Sequence, residues 1–173
     1  KTDTKFVKVF KKIGKGFASG YIEFFRGTPM MVQAICIFYG VSYIMGRGWP
    51  TTLAGVIVVS LNTAAYMAEI VRSGINAIDK GQIEASRSLG MSQTQTMFNV
   101  VLPQAIKNVI PAIGNELVVN IKDTSVLSAI MVSDLFYSAQ KINVIWYKQF
   151  PIYFIVCILY LILTISSTNL LKL

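Results

Sequence analysis

The stretch Glu84-Ala-Ser-Arg-Ser-Leu-Gly-Met-Ser-Gln-Thr-Gln-Thr-Met-Phe-Asn-Val-Val-Leu-Pro103 is polar at its centre and lies between hydrophobic runs, so water or a partner must cover it. Gly81 to Leu89 suits a short helix, Gly90 can take the left-handed conformation that ends it, and Ser92 with Gln95 forms a capping box that opens a second helix. The spacing therefore predicts two short helices meeting at an angle. Met91, Met97, Phe98, Val100, Val101 and Leu102 are more apolar than a solvated loop needs, while Ser92, Gln93, Thr94 and Gln95 can face water. That mixture fits a surface on which another protein docks.

The flanking sequence belongs to the membrane class. With 54% hydrophobic and 14% charged residues, and a mean hydropathy of +0.57, the chain lies outside the range of ordinary soluble domains. Uncharged runs at Gly27 to Gly46, Gly48 to Ala68 and Gln149 to Leu171 approach the ~20 residues that cross a bilayer. Asn108 to Val132 is long enough for a fourth span, although Glu116, Lys122 and Asp123 interrupt it; as a span, its charges must face protein or a wetted path. Four spans put both chain ends on one side. Lys1, Lys5, Lys8, Lys11, Lys12, Lys15, Arg26, Arg72, Lys80, Arg87, Lys107 and Lys172 fall there, against Arg47, Lys141 and Lys148 opposite. Basic loops stay in the cytoplasm, so the Glu84 to Pro103 loop is expected there too.

Three separated motifs carry a resemblance. Glu84, Ala85, Ser86, Gly90, Val100, Leu102 and Pro103 match in spacing the EAA loop of importer permeases in the ATP-binding cassette class, with Ser86 and Val100 departing from that loop's usual Ala and Ile. Glu23 to Gln33 (EFFRGTPMMVQ) and Gly114 to Ser125 (GNELVVNIKDTS), supported by Tyr66 to Gly74 (YMAEIVRSG), narrow it: the chain resembles the polar amino acid uptake family over most of residues 20 to 173. The resemblance implies a permease subunit that forms the path for a polar or charged amino acid. It also implies a cytoplasmic ATPase subunit holding the ATP and Mg, a second identical or homologous permease subunit, and an extracellular or periplasmic amino-acid-binding protein. No cofactor is expected on this chain. Members carry a further hydrophobic helix before the Arg-Gly-Thr-Pro stretch, so the chain is expected to be a piece of a longer protein.

The expected fold class is an all-α integral membrane protein with about four transmembrane helices, a cytoplasmic helix-turn-helix coupling loop and a basic amphipathic N-terminal segment. Residues 1–26 read as that basic cytoplasmic or interfacial segment, and 27–173 as one permease domain with its coupling loop at 81–103. Phe6, Val9, Phe10, Ile13 and Phe17 fall at helical spacing opposite Lys1, Lys5, Lys8, Lys12 and Lys15, as in a helix lying in a membrane interface; Gly14 and Gly16 favour a loop instead. Pro29 suits the first position of the next helix, with Thr28 as its cap. Trp49 reads as an interfacial anchor, and Ser60, Ala64 and Ala68 as a stripe for close helix packing. Pro103 and Pro111 predict a break before the fourth span.

Polar groups within spans supply the substrate-path candidates: Asn115, Glu116, Asn120, Lys122, Asp123 and Thr124, with Ser125 beside them. A ligand carrying both ammonium and carboxylate needs donors and acceptors together; Lys122 and Asp123 could equally neutralise each other. Glu69 could be hydrated, pair with Arg72 or face the path, and Thr28 and Arg26 join either the turn or the path.

The sequence contains no His, which excludes His-dependent catalysis and His-ligated metals. It lacks a Gly-x-x-x-x-Gly-Lys-Ser/Thr phosphate loop, so this chain is not the ATPase. The net charge of +8 sits beside hydrophobic spans, pointing to anionic lipid and not nucleic acid. Cys36 and Cys157 sit in apolar runs and read as small buried hydrophobes. A membrane enzyme built on Ser125 and Lys122, or a scaffold subunit, are the competing classes.

Overall fold

The computed structural model describes residues 5–171, with side chains from residue 12 onward. Among them there is no strand. The helices are α1 (Lys5–Gly27), α2 (Met30–Met45), α3 (Thr51–Asn76), α4 (Lys80–Ser88), α5 (Gln93–Thr96), α6 (Leu102–Asp123), α7 (Leu135–Trp146) and α8 (Gln149–Leu171). A π-helical turn, Met97–Val101, joins α5 to α6, and a 3-10 segment, Thr124–Ile130, follows α6.

Of these, α3 and α8 are long and apolar enough to cross a membrane, while α1 and α2 form a pair bent by 111°. At 1.5 Å per residue, α3 extends about 39 Å, more than the ~30 Å hydrocarbon layer, so one end lies beyond it. The expected span Gly48 to Ala68 thus continues as helix to Asn76. The expected fourth span differs more. α6 starts six residues earlier than Asn108, runs through Pro111 without a break, and stops at Asp123. Pro111 removes one backbone donor, and α6 stays continuous there while packing against α3 and α8.

Packing explains which small residues matter. Ala54, Val58, Asn62 and Ala65 form the buried stripe of α3, while Ser60, Ala64 and Ala68 are exposed on this chain. The stripe expected from fourfold spacing therefore does not pack the fold. Gly74 does: a Cβ there would collide with Val109 Cγ2 of α6. One core cluster joins Ala34 and Phe38 of α2, Ala54 and Val58 of α3, and Leu127 and Ile130. Trp49 turns back into it rather than outward, its indole N–H donating to the Phe38 carbonyl at 2.9 Å. Cys36 and Cys157, expected to be buried, are both exposed on apolar helix faces.

Residues 1–4 of the expected N-terminal helix, and the side chains of residues 5–11, lie outside the described residues. From Lys5 the helix continues through Gly14 and Gly16 to Gly27. Its C-terminal turns pack against α3: Ile22 and Phe25 are buried, and the Tyr21 hydroxyl donates to the Leu61 carbonyl.

Candidate functional site

The α4–α5 elbow is built from local signals. Asp79 caps α4 by accepting from the Gly81 N–H, and Gly90, at φ +82°, turns the chain after Leu89. A side chain at Gly90 would be strained there even though the space around it is open. Ser92 and Gln95 then exchange both hydrogen bonds of a capping box, at 2.8 and 3.3 Å. The two helices are tied by the hydroxyls of Ser86 and Thr96, 3.0 Å apart and both buried. Below them Ile78, Val101 and Ala105 form a second core cluster with Ile75 and Ile83, which anchors the elbow to the ends of α3 and α6.

The loop residues therefore divide. Glu84, Ala85, Gly90 and Pro103 are exposed; Val100 and Leu102 are half-buried; Ser86 is internal. Leu89, 83% exposed, and Phe98, 63% exposed, are large apolar groups on the same elbow. Neither belongs to the spacing pattern that singled out the others, although Phe98 stood out as too apolar for a solvated loop.

The polar residues of α6 do not converge on one point. Glu116 lines a cavity of about 410 Å³ between α1, α3 and α6, together with Arg26, Tyr66, Glu69, Ser73 and Asn108. Asn115 lines a different cavity of about 420 Å³, toward α8. Asn120 donates to the Thr63 hydroxyl of α3 at 3.1 Å, and Thr124 borders an apolar cavity of about 340 Å³ beside Asp134. Lys122 and Asp123 are exposed and make no ion pair with each other. Glu116 and Asp123, seven residues apart, share one helix face.

Glu69 settles into two ion pairs, 3.6 Å from Arg26 and 3.4 Å from Arg72. The Arg26 guanidinium also lies over the Tyr66 ring, 5.7 Å from its centroid. Of the two guanidiniums that face this carboxylate, Arg26 lines the cavity, with Glu116 across from it on α6.

The sequence matches the family described as binding-protein-dependent transport system inner membrane component over residues 6–172. A Rickettsia felis permease protein named for glutamine transport is 38% identical over 152 residues, covering 87% of this chain and 70% of that one. The arginine transport system permease protein ArtQ of Bacillus subtilis is 37% identical over 151 residues, covering 87% and 69%. A solved structure titled as an amino acid ABC transporter with histidines superposes with a TM-score of 0.86 at 43% identity, covering 93% of this chain and 75% of that one. The MetNI methionine transporter, at 18% identity and a TM-score of 0.65, shares the fold. The chain belongs to this family of inner-membrane transport components. It is the permease subunit of an ATP-binding cassette importer, a multi-pass inner-membrane protein that is not itself an enzyme. The family implies a separate ATPase and a substrate-binding protein.

Two residues of the permease escaped the sequence reading as site candidates. The Phe25 carbonyl, near the end of α1, loses its i+4 donor because that position is Pro29. The buried side-chain amides of Gln33 and Asn62 replace it, donating at 2.9 and 3.3 Å, and Asn62 donates also to Gln33 Oε1 at 3.0 Å. Thr28 does not cap α2, since Pro29 occupies that place; its hydroxyl donates back to the Phe24 carbonyl at 2.8 Å and accepts from Gln33 at 2.7 Å. Thr28 is thereby committed to the bend. A Gln four residues after Pro29 was a visible signal, but its partner Asn62 lies on another helix.

Proposed function

We propose that this permease carries a polar or charged amino acid, and that the cargo passes along the α6 face bearing Glu116 and Asp123. Supporting this is the continuity of α6: it leaves the elbow through the π turn and holds both carboxylates on one side, so movement of the elbow displaces them directly. The relatives named for glutamine and arginine transport agree with a zwitterionic cargo. Asp123 and Glu116 meet the ammonium or a basic side chain, while Lys122 and the Arg26 side of the cavity offer counter-charge to a carboxylate. Asn115, Asn120 and Thr124 add neutral donors and acceptors along the path, and Glu69 holds Arg26 in the cavity wall.

The remaining assignments follow from that reading. Glu84, Ala85, Ser86, Gly90, Val100, Leu102 and Pro103 shape the elbow that seats in a groove of the ATPase, with exposed Leu89 and Phe98 contributing apolar contact. The elbow and both ends of the chain face the cytoplasm. ATP and Mg reside on the partner and none on this chain, a second identical or homologous permease completes the path, and an extracellular or periplasmic amino-acid-binding protein delivers the cargo.

The test is uptake of a radiolabelled amino-acid panel by vesicles containing the assembled transporter. Asp123→Asn and Glu116→Gln should weaken uptake and cargo-stimulated ATP hydrolysis while basal hydrolysis and assembly survive. Unchanged kinetics in stable variants would remove these carboxylates from the path. Labelling a Cys at Ser92 from outside would invert the orientation.

A further inference from the structure

The 111° bend between α1 and α2 sets α1 nearly perpendicular to α2. If α2 crosses the membrane, α1 lies close to the membrane plane and does not continue the span. Its described N-terminal half is unlike a packed helix. Ile13 and Phe17, four residues apart on one face, are 65% and 82% exposed, with Phe24 further along the same stripe. Lys12 and Lys15 stand exposed on the face opposite that stripe. Among the described residues it is the C-terminal end of α1, through Tyr21, Ile22, Phe25 and Arg26, that packs against α3.

We propose that α1 is a sensor of anionic phospholipid: Ile13 and Phe17 insert at the acyl boundary, Lys12 and Lys15 bind phosphate headgroups, and the docking tunes transport. Charge complementarity selects the occupant, because an apolar stripe backed by a lysine-bearing polar face matches an anionic lipid surface and not neutral hydrocarbon. The consequence reaches the cavity through the far end of the same helix. Arg26, the penultimate residue of α1, pairs with Glu69, and the Phe25 carbonyl is held by Gln33 of α2 and Asn62 of α3. A rigid helix of 23 residues transmits tilt from one end to the other, so headgroup binding at Lys12 sets where Arg26 stands against Glu69. This inference rests on the permease reading for its regulatory half, and on the geometry of α1 alone for its lipid half.

The experiment reconstitutes the assembled transporter in phosphatidylcholine vesicles with and without about a quarter phosphatidylglycerol. Each lysine near an anionic surface strengthens docking about fivefold, so cargo-stimulated ATP hydrolysis should rise several-fold with the anionic lipid and fall back as salt shortens the screening length. Lys12→Gln with Lys15→Gln should hold hydrolysis at the phosphatidylcholine level in both vesicles, leaving basal hydrolysis unchanged. In the wild type, tryptic cleavage after Lys12 and Lys15 should be slowed by the anionic lipid. Equal cleavage and equal stimulation in the two vesicles would overturn the proposal. So would a double variant impaired to the same degree in phosphatidylcholine, which would place the lysines against a protein partner. Protection by phosphatidylglycerol with no cargo stimulation in any vesicle would sink the transport reading while upholding the lipid docking of α1.

Discussion

The α4–α5 elbow and the bend between α1 and α2 both redirect the chain sharply, yet they are held by opposite kinds of bond. In the elbow the partners are near in sequence: Asp79 with Gly81, Ser92 with Gln95, and Ser86 with Thr96 ten residues on. At the bend, beside Gln33 eight residues away, a second donor, Asn62, stands 37 residues from the carbonyl it satisfies. A turn made from local caps can move as a unit while keeping its shape, which suits a part that rides in a partner's groove. One stapled to a distant helix cannot turn without breaking the staple, so the bend ties α1, α2 and α3 together.

That contrast fails first if distant packing proves dispensable. Gly74→Val places a side chain against Val109, and overpacking of this kind costs about 1–3 kcal/mol; the thermal unfolding midpoint of the purified assembly should drop by several degrees. Val109→Ala in the same chain should restore most of it, and a drop that persists would mean that the α3–α6 approach is not what Gly74 provides. Asn62→Leu removes the staple and leaves the Phe25 carbonyl and Gln33 Oε1 each short of a donor in the interior, a loss of about 1–3 kcal/mol, read as lower stability together with weaker uptake. Stability equal to wild type would show that the bend holds without its staple.

Changes in the elbow should cost less stability and more coupling. Gly90→Val strains the left-handed turn by roughly 1 kcal/mol or more, and should separate ATP hydrolysis from uptake while membrane insertion remains. Wild-type uptake in that variant would remove Gly90 as a hinge. Gln95→Ala deletes half of the capping box on an exposed helix start, with an expected loss of about 0.5–1 kcal/mol visible only as a small shift in unfolding. A larger loss would mean that the box supports the partner interface as well as the helix.

Sequence by itself determined the elements whose causes are local. The Gly90 turn, the Ser92 capping box, the hydrophobic run of α8 and the spacing of the loop motif need only neighbouring residues and backbone preference, so they were legible from Glu84 to Pro103 outward. Tertiary structure alone decided which small residues are packed, because Gly74 matters through Val109 on another helix, whereas Ser60, Ala64 and Ala68 share a spacing but are exposed in this chain. It also decided that α6 runs unbroken through Pro111, since α3 and α8 confine it, and that the substrate-path candidates of α6 divide among separate cavities, Glu116 being the one among them that joins Glu69 and Arg26. Residue type reveals that a group must be satisfied; which group satisfies it depends on where the other helices come to lie.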